Sequence, residues 1–327
     1  MKTVPVIYQP GVVPTEIYSG VPSFMGMPVA KTPEDLKQYD FAVMGVPFEG
    51  GCTYGGFSSC VVAPKTIRSV STRYVGYLPD YDFDTFDYMT CCDYGDIPIQ
   101  NGSYEFSFAS MRKGIGEILD AGCVPITFGG DHSISYPLIS ELCKRHKKRV
   151  GVLHFDAHLD TMPSFGDDPY SRCSPFNRLY GDENFDSTKI VHTGIRGPRN
   201  HHQERIEAQK AGATVITARE IKLNGWQASI QKTIDIASKD TDVLYVTVCS
   251  DVLDAAANPQ GPFDPCGPTS FEVAMMLHEA GKAGAAAFDF VEIYPETCGA
   301  HQSAHTACWM ALYFMNGVAQ HRYGGQK

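Results

Sequence analysis

The stretch from Val124 to Thr161, VPITFGGDHSISYPLISELCKRHKKRVGVLHFDAHLDT, constrains the fold more than any other part of the chain. Two apolar, β-branched runs, Val124 to Phe128 and Arg149 to Phe155, flank an amphipathic segment, and each ends in a group of metal-type side chains. The pattern predicts a βαβ unit. Residues just past the carboxyl ends of parallel strands line one crevice, so His132 should face Asp156, His158 and Asp160. Alternation along a strand puts Asp156 and His158 on one face, and Asp160 comes round on the following loop. Imidazole nitrogen and carboxylate oxygen suit manganese, zinc or nickel, and a carboxylate can bridge two ions. The plainer alternative for DAHLD alone is a solvated acidic loop; GGDHS ahead of it favours the metal.

The remaining pattern predicts strands at Phe41 to Val46, Met89 to Ile97, Ile190 to Ile195, Thr214 to Ala218, Val243 to Val248 and Ala285 to Ile293. Helices are expected at Ala63 to Tyr74, Phe106 to Ala121, 226 to 238, 270 to 281 and His305 to Gln320. Strands alternating with helices imply an α/β fold, three layers αβα around a mostly parallel sheet. Asp80 to Asp87 shows no clear period, and Met162 to Asp186 reads as a long polar connection placed to cover the site. Residues 1–38, rich in Pro, Gly and Tyr, read as an N-terminal arm, and 39–327 as a single domain.

GGDHS at 129–133 and FDAHLDT at 155–161 resemble the two signature motifs of the ureohydrolase family, which holds arginase, agmatinase, guanidinobutyrase and formimidoylglutamase. GVPFEGG at 45–51, APKTIR at 63–68, YGDIP at 94–98, TGIRG at 193–197, SDVLD at 250–254 and FDFVEIYP at 288–295 match in order. The resemblance implies an arginase-like fold. It also implies hydrolysis of a guanidino compound to urea and an amine by a hydroxide held between two divalent metal ions, usually manganese, sometimes nickel. Formimidoylglutamase-like cleavage of a formimino group would use the same attack.

By that resemblance His132 and Asp160 serve one metal, His158 and Asp251 the second, and Asp156 bridges both. Asp160 also belongs to the catalytic set, and Glu292 pairs with the substrate guanidinium and orients it. Asp131 is expected to cap the helix start, His154 to be a core or supporting histidine, and Asp254 to fix the loop after the ligand pair.

Two positions depart from the family. Cys249 stands where a second bridging aspartate is usual. It is either a thiolate ligand, which would move the preference toward zinc or nickel, or a buried small hydrophobe that leaves one metal weak or absent. Arg172, in RCSPF at 172–176, stands where a proton-shuttling histidine is usual. Arginine is no base near neutral pH, so it either binds a carboxylate on the substrate tail or is an exposed loop residue. Replacements for the shuttle are sought among His201, His202, His301 and His305. Losing both groups is what a supporting subunit of a heteromeric guanidine hydrolase, like metformin hydrolase, would show. That is the alternative to an active homo-oligomer, for which the family implies a trimer or hexamer.

A net charge of −10 disfavours nucleic acid and anionic membrane as partners. Eleven cysteines without zinc-finger spacing, no signal peptide and no apolar run of membrane-spanning length predict a cytoplasmic protein with free thiols.

Overall fold

The computed structural model describes residues 22–50, 58–100, 102–295 and 301–325. The first half of the chain contributes α1 (Pro33–Leu36), β1 (Phe41–Val46), α2 (Ala63–Ser71), β2 (Tyr77–Leu78), β3 (Phe83–Asp84), α3 (Thr85–Tyr88), β4 (Cys91–Asp96), α4 (Tyr104–Asp120), β5 (Val124–Gly129), α5 (Ser135–His146) and β6 (Val150–Phe155). The second half adds α6 (Pro175–Tyr180), β7 (Ile190–Ile195), α7 (His202–Ala211), β8 (Thr214–Thr217), α8 (Ala218–Asn224), α9 (Trp226–Ala237), β9 (Val243–Cys249), α10 (Ser270–Lys282), β10 (Ala285–Val291) and α11 (Gln302–Tyr323).

Eight strands form one sheet in the order β4-β1-β5-β10-β9-β6-β7-β8, and every ladder in it is parallel. Side-chain alternation divides the interior into two cores. Phe41, Val43, Ile126, Phe128, Leu153, Phe155, Val246 and Phe290 pack on one face under α2, α9, α10 and α11. Ala42, Met44, Val46, Val152, Tyr245 and Val291 pack on the other under α4, α5 and α6. Burial on both faces explains the near-continuous apolar strands, and the architecture is the three-layer αβα fold that the sequence predicts.

The strand order adds what the βαβ pattern leaves open. β5 and β6 belong to the same parallel sheet, but β10 and β9 lie between them. A tally of periodicity along the chain carries no information on strand order, since later strands insert between earlier ones. The insertion brings the ends of β9 and β10 into the crevice. The aperiodic Asp80 to Asp87 segment contains β3, which pairs with β2, and most of α3, which packs against α11; the polar connection after Thr161 contains α6.

Residues 22–30 pack on the edge strand β4. The Phe24 ring packs tilted against that of Phe128 at 5.4 Å, Ala30 N donates to Asp93 O at 2.9 Å, and Asp93 N donates to Pro28 O at 2.9 Å. The Asp93 carboxylate ties this segment to the body: it accepts from Phe24 N at 2.7 Å and from Arg68 Nε and Nη2 at 2.7 and 2.9 Å. Residues 1–21 of the expected arm lie outside the described residues. Asp93→Ala leaves Phe24 N without its acceptor and the buried Arg68 with Asp96 as its remaining carboxylate, so it should cost about 3 kcal/mol in urea unfolding. The Phe24 and Ala30 amides should then exchange hydrogen faster than the rest of the sheet; unchanged stability would contradict this.

Candidate metal centre

The crevice lies over the carboxyl ends of β5, β10, β9 and β6. Gly130 and Asp131 leave β5 against the β1 loop, where Gly130 N donates to Val46 O and Asp131 N to Phe48 O. A Cβ on Gly130 would lie 1.7 Å from the Phe48 carbonyl, so only glycine fits this turn. Asp131 then caps the short 3₁₀ turn His132–Ile134 by accepting from Ser133 N at 3.0 Å, as expected, and also holds Gly50 N at 2.6 Å.

Glu292 follows β10 in a left-handed conformation, φ 63°. That costs a non-glycine residue about 1–2 kcal/mol. Reciprocal hydrogen bonds hold it there: Glu292 N donates to Gly130 O at 2.9 Å, and His132 N donates to Glu292 Oε1 at 2.8 Å. Asp160 is likewise left-handed, φ 50°, with its carbonyl accepting from Phe176 N.

His132 Nδ1 lies 3.0 Å from Asp156 Oδ2 and 2.8 Å from Asp160 Oδ2. His158 Nδ1 lies 3.0 Å from Asp251 Oδ2 and 3.5 Å from Asp156 Oδ1, and its Nε2 is 3.4 Å from Asp264 Oδ2. Two groups of donors therefore meet at Asp156. Their ligand atoms lie within 4.8 Å of one another in the sets His132, His154, Asp156 and Asp156, His158, Asp251, each a candidate to hold a metal ion. Neither set contains Cys249, which is buried at the end of β9 in the α5-side core. Burial, and then the Asp156 and Asp251 charges, raise its thiol pKa well above the usual range.

The electrostatics are those of crowded buried acids. Burial opposes the charge on Asp156, but His132, His154 and His158 more than offset it and hold the carboxylate well below its ordinary range. Burial and then the Asp156 charge push Asp160 up to about 6, and raise Asp251 as well. Burial opposes the charge on His132 and His158, yet the facing carboxylates raise both well above an ordinary imidazole. Even so, His132 Nδ1, His158 Nε2 and Asp251 Oδ2 are buried with no hydrogen-bond partner among the described residues. Short separation alone does not make a hydrogen bond, which also needs the donor N–H directed at the acceptor.

Behind Asp156 runs a relay that motif spacing did not reveal. His154 Nε2 is 2.9 Å from Asp156 Oδ2, His154 Nδ1 is 2.7 Å from His192 Nδ1, and His192 Nε2 is 2.6 Å from Tyr180 OH. Burial lowers His154 to about 4 and His192 further, so both rings are neutral. Only one proton arrangement then satisfies every group: Tyr180 donates to His192, His192 donates through Nδ1 to His154, and His154 donates through Nε2 to Asp156. His154 thus has both nitrogens engaged, which makes Asp160 the better companion for His132. The relay could have been suspected from His192, a histidine in the middle of a fully buried strand.

Arg172 reaches across the mouth. Its Nη1 is 2.8 Å from Glu292 Oε2 and 3.2 Å from Tyr294 OH, and its Nη2 is 3.0 Å from Glu49 Oε1 and 3.9 Å from Asp131 Oδ2. Glu49, Asp264 and Tyr294 drew no notice in the sequence because each sits in a turn without ligand spacing. Among the histidines considered as shuttles, His201 caps α7 through Gln203 N, and His305 pairs with Tyr74 OH at 2.6 Å. Asp254 accepts from Ala256 N and Gly267 N, fixing the loop after Asp251.

With this geometry in view, comparison with known proteins gives a consistent result. A model of the arginase family matches residues 39–316. The chain belongs to the arginase family, the ureohydrolases that its motifs resemble. Among its relatives are proclavaminate amidinohydrolase of Streptomyces clavuligerus, 30% identical over 281 residues that cover 85% of this chain and 87% of that one. Another is the agmatinase of Chromobacterium violaceum, 30% identical over 308 residues covering 91% and 90%. The solved structure of the Streptomyces clavuligerus enzyme superposes with a TM-score of 0.84 at 28% identity, covering 93% of this chain and 99% of that one.

Glu204, buried on α7, gives a pH dependence. Burial and then the Asp160 charge raise its pKa from 4.5 to about 7. A carboxyl that binds its proton more tightly when folded stabilises the fold below its unfolded pKa. That contribution is lost as pH rises through the folded value. In metal-free protein, Glu204→Gln should therefore gain thermal stability over the wild type progressively between 4.5 and about 7. Calorimetric scans across that window check it; a difference that does not change with pH contradicts it.

Proposed function

We propose that the protein is a metal-dependent amidinohydrolase that cleaves a C–N bond of a small guanidino compound, releasing urea and an amine. The observation that carries this reading is Asp156, whose two oxygens face separate donor groups, His132 with Asp160 and His158 with Asp251. Of the orphaned buried atoms, His132 Nδ1 and Asp251 Oδ2 face these donor groups and support a fit to divalent cations. Nitrogen and carboxylate donors suit manganese or nickel, with zinc as a further candidate. Relatives described as amidinohydrolase, agmatinase and guanidinopropionase support a guanidino substrate.

His132, Asp156 and Asp160 would hold one ion, and Asp156, His158 and Asp251 the other. Bound there, the ions would acidify water and polarise the substrate carbon. Glu292 orients the substrate, since a carboxylate fixed by the His132 amide offers an oxygen to a guanidinium N–H. Asp160 would take the proton that the attacking water gives up and deliver it to the amine nitrogen as the C–N bond breaks. Burial of the crevice keeps bulk water from screening the Glu292 pairing.

A second reading, a supporting subunit in a heteromeric hydrolase, is favoured by the buried Cys249 lying outside both donor groups. Purified chain loaded with manganese, nickel or zinc and assayed for urea on a panel of guanidines separates the two. Turnover by the lone chain supports the first, and turnover only with a related chain present supports the second. In an active chain, Glu292→Gln should lower kcat/KM by about 100-fold or more while metal is retained. Because carboxylates hold His132 and His158 protonated before ions bind, titration of manganese near neutral pH should release protons. Calorimetry in buffers of different ionisation enthalpy reads this, and no release would contradict the ligand set.

A further inference from the structure

The mouth of the crevice holds a charge imbalance. Glu49, Asp131 and Glu292 have side chains 3%, 1% and 4% exposed, and among the described residues one cation, Arg172, faces all three. Its guanidinium spans Glu292 and Glu49 with separate nitrogens, the fork geometry that distinguishes a guanidinium from an ammonium. Pairing is incomplete: Glu49 Oε2 and Arg172 Nε are buried without hydrogen-bond partners among the described residues. The cluster therefore has acceptor capacity that its present occupant does not use.

We propose that Arg172 is an internal occupant of a guanidinium seat formed by Glu49, Asp131 and Glu292, so that an external guanidinium enters only by displacing it. Three observations argue for this and against a role in gripping a substrate carboxylate. Both Nη atoms already lie on protein acids, so a substrate carboxylate would have to break one of those pairs. It would also add a fourth negative group to a buried cluster with a single cation, which raises the cost of every charge present. Arg172 is also the most exposed member, at 13%, and extends from the loop between β6 and α6. Rotation of its side chain empties the seat without repacking either core. The chain would then be self-restrained, selecting substrates whose guanidinium competes with a tethered one.

The inference rests on the reading that this crevice takes a guanidino compound, but its test requires neither turnover nor metal. Methylguanidine binding to the full chain is measured by calorimetry at matched ionic strength, with tetramethylammonium as the cation control. Wild type, Arg172→Ala and Arg172→Lys are compared. Removing the tethered guanidinium should tighten methylguanidine binding by at least about 10-fold, the alanine variant most and the lysine variant less, with no response to tetramethylammonium. Adding Glu292→Gln to either variant should abolish the gain. Equal affinity in wild type and variants, or a response to both cations, overturns the proposal. The lysine variant keeps one positive charge in the cluster and covers the case in which the alanine variant does not fold. If lysine also fails to tighten binding, the seat is not where Arg172 lies. A chain that hydrolyses guanidines yet shows no such gain refutes the self-occupied seat and leaves the function intact; a gain without urea release does the reverse.

Discussion

Mutual repulsion among the buried carboxylates Asp156, Asp160 and Asp251 is the constraint around which the rest of the structure is arranged. Two unit charges 4 Å apart repel by about 4 kcal/mol at an effective dielectric of 20, and these acids share one crevice screened from solvent. Without added cations, protons on His132 and His158 supply the compensation, which is why burial fails to neutralise those rings. Divalent cations would supply more, and would align donor atoms that now approach without hydrogen-bond geometry. The neutral relay of His154, His192 and Tyr180 steadies Asp156 from behind without adding charge.

Topology makes that concentration of charge attainable. β5 and β6 are separated by three strand spacings, roughly 14 Å, and side chains from their ends meet because the 3₁₀ turn after β5 carries His132 over the ends of β10 and β9. Those intervening strands contribute Glu292 and Asp251. Backbone positions that are intrinsically costly, Glu292 and Asp160 in left-handed conformations, are held by hydrogen bonds from neighbouring turns. Such strain is characteristic of positions whose side-chain direction matters more than local comfort.

Much of this was legible in the sequence. Strand periodicity gave the αβα layers, because a strand buried on both faces must be apolar along its length, and the two ligand-rich strand ends marked the crevice. Strand order was not legible: no local pattern tells β5 that β10 and β9 will lie beside it. Nor were Glu49, Tyr294 and the His192 relay, whose partners are more than thirty residues away in most cases or lie in turns without spacing rules. Arg172 was visible as a departure from the family pattern, but its pairing with Glu49 and Glu292 depends on the path of a long loop. Cys249 was visible too, and its place in an apolar core depends on which way the end of β9 turns.

Anomalous X-ray diffraction from crystals of the full chain soaked in manganese tests the metal centre most directly. Two peaks are predicted, one among His132, Asp156 and Asp160 and the other among Asp156, His158 and Asp251, with both lost in Asp156→Asn. A crevice that shows no peak after soaking in manganese, nickel and zinc would contradict the assignment.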